Sequence, residues 1–201
     1  METKSNFSSE ENSKLISDTL INNSKALEKS ALRHFLLWGG FITITALVVG
    51  HLWEHYGGPI WNYLWFASLP VCDVVEHVMF KDEKKLPKGY ITSIFRFSER
   101  MFGVFCFVIA VAALLSSYML PPEISVAIYM AMTSFFIVAF GFAASITGYL
   151  MRNKVVVSLG IVSGSVGAVL AMVVDGSYKM LIVAAFAFLT MVLPYFICRK
   201  Q

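Results

Sequence analysis

Six long apolar stretches recur along this chain, near residues 35–53, 59–80, 101–120, 124–151, 155–174 and 179–198, and they limit what it can fold into. A bilayer core of about 30 Å is crossed by roughly 20 apolar residues at a helical rise of about 1.5 Å each. Each stretch has that length, and in hydrocarbon only a helix or a closed barrel satisfies the backbone. The chain is therefore predicted to be an all-α integral membrane protein of six spans. Composition agrees, with 57% hydrophobic and 14% charged residues against about 25% charged in a soluble domain. The second stretch is the exceptional one. Its purely apolar part ends at Cys72, and Pro70 removes a backbone hydrogen bond within it. It reads as a kinked span or a re-entrant segment.

Lys and Arg resist translocation and collect on the cytoplasmic side, so their placement sets the orientation. Lys4, Lys14, Lys25, Lys29 and Arg33 precede the first span, and Lys81, Lys84, Lys85, Lys88, Arg96 and Arg100 lie between the second and third. Arg152 and Lys154 follow the fourth span, and Arg199 and Lys200 follow the sixth. With both termini in the cytoplasm, Lys179 alone of the 16 Lys and Arg falls outside. The net charge of +3 is thus a topology signal. It also favours a full crossing by the second segment, because a re-entrant loop would reverse every later side. The apolar run begins too late for a cleavable signal peptide, so the first span is expected to remain in the mature protein of a bacterial inner membrane.

Residues 1–34 are polar. Ser8-x-x-Glu11 fits a capping box, and helical spacing puts Ile16, Leu20, Leu27 and Ala31 on one face. Lys14, Asp18, Lys25, Glu28 and Lys29 fall opposite, the pattern of an amphipathic helix. It serves either as a solvated lead-in to a membrane domain at 35–201 or as a surface for lipid headgroups or a partner. The inner loop 81–100 carries a charged run from Lys81 to Lys85 and offers a second such surface. Nothing resembles a nucleic-acid motif.

The last four spans hold no Asp, Glu, Lys, Arg or His in their apolar cores, which argues against a proton-coupled carrier. They hold small residues at helical spacing: Gly141, Ala144, Ser145 and Gly148 in the fourth, Gly160, Gly164, Gly167 and Ala171 in the fifth. Small side chains let helix backbones approach closely in lipid. Joined only by Arg152, Asn153 and Lys154, these two spans are expected to form a tight hairpin. Cys72, Cys106 and Cys198 follow no metal or redox spacing.

Ionisable groups gather at two places. His51-x-x-Glu54-His55 ends the first span, and Asp73-x-x-Glu76-His77 ends the second. Residues at i, i+3 and i+4 share a helix face, so either set offers ligands to a divalent ion such as zinc, or a group that senses pH. The first also matches the H-x-x-E-H pattern of inverted zinc peptidases. That chemistry needs a further ligand, and Glu123 and Asp175 are the outer carboxylates left to supply it. A helix through the second segment sets the clusters about 25 to 30 Å apart, too far for a shared centre. The plainer reading makes both clusters interface groups held by water and headgroups, and Trp53, Tyr56, Trp61, Tyr63 and Trp65 an aromatic belt.

With Trp38-Gly39 entering the first span, and Trp61-Asn62-Tyr63-Leu64-Trp65-Phe66 followed by Pro70 in the second, residues 10–80 resemble small multi-spanning membrane proteins of unassigned function found in Bacteroidota. Cys72, Asp73, Glu76 and His77 depart from the apolar residues the resemblance implies after that proline. The function expected is that of a non-enzymatic accessory, sensory or regulatory subunit without a cofactor. It would bind a second copy of itself or a cytosolic protein through residues 10–34 and 81–100. The alternatives are a small transporter or channel subunit, and a metal-dependent membrane enzyme using His51, Glu54 and His55.

Overall fold

A computed structural model describes residues 9–57, 59–81 and 90–198, and every regular element among them is helical. Helix α1 runs from Ser9 to Tyr56, and a 3₁₀ turn over Pro59–Tyr63 leads into α2, Leu64–Met79. Then follow α3 (Tyr90–Met119), α4 (Pro122–Leu150), α5 (Lys154–Val173) and α6 (Tyr178–Ala187). A π-helical turn, Phe188–Val192, joins α6 to α7, Leu193–Cys198. Among the described residues, four stretches are long and apolar enough to cross a membrane: Leu27–Tyr56, Ala131–Leu150, Lys154–Val173 and Tyr178–Cys198. They place the chain in the class of helical membrane proteins.

No break separates the polar lead-in from the first apolar stretch, since α1 is one helix of 48 residues. Ser8 of the expected capping box, and the side chains of Ile16 and Leu20, lie outside the described residues, as do residues 82–89 of the inner loop. The remainder of the amphipathic face turns inward. Leu27 and Ala31 are fully buried and pack with Phe95 of α3, Met151 and Val156. The apolar stripe that a partner or lipid was expected to cover is, at these two residues, covered by the protein's own bundle.

Helices α4 and α5 lie in backbone contact. A Cβ on Gly141 would sit 2.7 Å from the Gly160 carbonyl oxygen and 2.8 Å from Gly164 Cα, and one on Gly148 would sit 2.7 Å from Val157 N. Ser145 fills the remaining space, donating to the Gly141 carbonyl at 2.7 Å, so its hydroxyl is satisfied within its own helix. Lower on the same face Gly167 meets Ile137, beside Ala168, Ala171 and Phe186.

The connection between them is three residues long. Arg152 takes the left-handed conformation at φ 58°, which lets Asn153 N donate to the Gly148 carbonyl at 2.9 Å and closes the end of α4. Asn153 then caps α5, its Oδ1 accepting from Val155 N and Val156 N. Its amide nitrogen donates to Glu28 of α1 at 2.8 Å and to Cys198 of α7 at 3.0 Å. One side chain therefore ties the start of α5 to the middle of α1 and to the end of α7. This is the basic end of the bundle, where Lys29, Arg33, Arg152 and Lys154 also lie.

Helix α1 runs antiparallel to α6 and the segment that follows it. At one level Gly39 faces Met191, 2.5 Å from where its Cβ would be, and at the far end Gly50 faces Met180 at 3.0 Å. The π turn between Ala187 and Leu193 has a local cause. Pro194 has no N–H to give to the carbonyl one turn earlier, and the helix widens so that Leu193 N reaches Phe188 O.

Candidate functional site: ionisable clusters at the middle and the end of helix α1

At the basic end, Glu76 projects from the last turn of α2 onto α1. One carboxylate oxygen lies 2.5 Å from His34 Nδ1, and the other accepts from the Trp38 indole N–H at 2.5 Å. His34 and Trp38 stand one turn apart on α1, so they present two donors on one face and take the carboxylate between them. Both ends of the ion pair are only about a quarter exposed (26% for His34, 24% for Glu76). The His34 ring also lies against Phe80, with centroids 4.4 Å apart. Trp38 continues into the core beside Ile42, Ala187 and Met191. Cys72, one turn before Glu76, is buried in the cleft between the helices beside Trp38, Phe41, Ile42 and Trp65.

The structure thus divides the second sequence cluster. Glu76 turns inward, whereas Asp73 and His77, on the flanks of the same face of α2, stay exposed. The partners of Glu76 were not foreseen. Their signal was the spacing of His34 and Trp38 just inside the first span, two side chains with N–H groups on one helix face.

At the far end the first cluster also divides. Glu54 accepts a hydrogen bond from the Ser177 hydroxyl, which fastens the end of α1 to the segment before α6. His51 and His55 are exposed, their rings 4.1 Å apart and 37° from parallel. His55 Nδ1 lies 3.0 Å from the His51 carbonyl oxygen. Gly57, at φ 75°, donates to the Trp53 carbonyl and ends the helix one residue beyond Tyr56. Lys179 is buried at 6% exposure, with Nζ 3.8 Å from the exposed Asp175. Tyr56 and Trp61 pack at 6.2 Å between centroids, while Tyr63 remains largely exposed. Glu123 is exposed in the first turn of α4.

Among the described residues, no three His, Cys, Asp or Glu side chains are grouped to hold a metal ion. Helical rise puts Glu54 about 30 Å along α1 from His34. The two clusters are therefore separate places on one continuous helix, each containing a carboxylate that joins helices and at least one imidazole. No protein-family model, curated protein or solved structure matches this chain.

Proposed function

We propose that this protein is a non-enzymatic sensory or regulatory component of a bacterial inner membrane, with six crossings and both termini in the cytoplasm. The observation that carries the reading is the single helix α1, which joins the outer cluster at His51–His55 to the clamp on Glu76 and then continues to Ser9. A stimulus that moves either end of such a rod is passed to the other without an intervening loop.

Six crossings are supported by the gathering of Glu28, His34, Glu76, Phe95, Asn153 and Cys198 toward one end of the bundle. That arrangement brings the chain back after the second, fourth and sixth segments. The 3₁₀ turn and α2 together extend roughly 34 Å at about 2.0 and 1.5 Å per residue, enough to cross. The 30-residue α3 contains the apolar stretch of the third.

The clamp is the part of the molecule built to change. Glu76 faces His34 and Trp38 from α1, with Cys72, Asp73 and His77 within a turn on its own helix and Lys81 just beyond. Loss of the His34 charge, or protonation of Glu76, weakens the bridge that holds the end of α2 against α1.

Spin labels at Lys29→Cys and Val78→Cys, in a chain freed of its native cysteines and placed in vesicles, report the α1–α2 separation. Between about pH 5 and 8, where imidazole ordinarily titrates, two separations are expected to exchange population, and His34→Ala should hold one of them throughout. A single separation at every pH would make the clamp a static brace and end the sensory reading. Saturable solute flux through the same vesicles would replace it with a transporter or channel subunit.

A further inference from the structure

We infer that His51 and His55 form a two-imidazole binding site for a late first-row divalent cation, such as zinc or copper(II), at the end of α1 away from the Glu76 clamp. The inference goes beyond the sensory reading and stands without it. Two imidazoles at i and i+4 share one helix face, the spacing with which a helix presents a His pair to zinc. Here the pair is already assembled, with ring centroids 4.1 Å apart and both side chains exposed.

The hydrogen bonding points the same way. A carbonyl oxygen only accepts, so His55 Nδ1, 3.0 Å from the His51 carbonyl, carries the proton of the neutral ring. The lone pair is then at Nε2. A backbone carbonyl holding the other ring nitrogen is the usual outer-shell support of a metal-binding histidine, because it fixes both the tautomer and the ring plane. Glu54 adds negative charge to the same turn while its carboxylate is held by Ser177. Imidazole donors suit zinc, copper and nickel rather than magnesium or calcium. Two protein ligands leave the rest of the coordination shell to water.

The test uses the full chain, purified in micelles without a polyhistidine tag and titrated near neutral pH with zinc chloride and with copper(II) chloride. One equivalent should bind with a dissociation constant in roughly the micromolar range. His51→Ala and His55→Ala should each weaken binding by about tenfold or more, and the double variant should abolish it. His34→Ala and His77→Ala should leave it unchanged. Copper bound to the parent should show nitrogen couplings from two imidazoles in its paramagnetic resonance spectrum. Affinity should fall on acidification, because protons compete for the same lone pairs. Both histidines are exposed, so the double variant should melt with the parent and remain a fair control. Equal affinity in parent and double variant overturns the site, as does loss of binding only in His34→Ala or His77→Ala, or the absence of saturable binding up to about 100 times that range.

Discussion

Asn153 shows how much of the basic end depends on one side chain. Its carbonyl oxygen caps α5 and its amide reaches Glu28 and Cys198, so truncation removes a helix cap and leaves two acceptors without their donor. Asn153→Ala is expected to destabilise the folded protein by about 2 kcal/mol, about 1 from the cap and the rest from the lost hydrogen bonds. Asn153→Asp keeps the cap but sets a second carboxylate against Glu28, so it should recover less than half of that loss. Reversible unfolding in mixed micelles measures both. If Asn153→Ala unfolds with the parent, α1 is held at this end by Leu27, Ala31 and the Glu76 bridge without help from Asn153.

At the scale of elements, the α4–α5 pair is a contact between backbones, and it tolerates almost nothing added. A Cβ on Gly164 would sit 3.1 Å from Gly141 Cα, so the facing backbone has to give way even to that atom, and a leucine adds three more carbons in the same seam. Gly164→Leu should therefore separate the helices and cut the yield of folded protein severalfold. Gly40→Leu, where a Cβ meets nothing within 4 Å, should express and melt like the parent. Size-exclusion profiles and melting of the two variants check the contrast. This part of the fold was legible in the sequence because small residues at helical spacing have one strong use in lipid. The clamp was not. Glu76, Asp73 and His77 are equally suited to an interface, and only the rotation of α2 about its axis decides that Glu76 faces His34 while the other two stay exposed. Rotation is set by packing between helices far apart in sequence, and no local pattern records it. The length of α1 was obscured for a related reason. The change from polar to apolar side chains near residue 35 marks a change of solvent, which the backbone crosses without a break.

For the molecule as a whole, the proposed sidedness rests on the basic residues and is open to direct test. Lys29→Cys, exposed at the basic end, should be shielded from an impermeant thiol reagent in intact cells, and Asp175→Cys, exposed at the far end, should react. The opposite result would invert the molecule and place the Glu76 clamp outside.

The pairing of α1 with α6 has a consequence for the order in which this protein is made. Gly39 and Gly50 await Met191 and Met180, residues that leave the ribosome well over a hundred positions later. Until then α1 has no permanent neighbour along that groove. α2 is made soon enough to cover another side, and the Glu76 bridge is available as soon as it emerges. The carboxylate that clamps the finished bundle is thus expected to serve as an early fastening as well, holding α1 and α2 together while the groove beside them waits for α6.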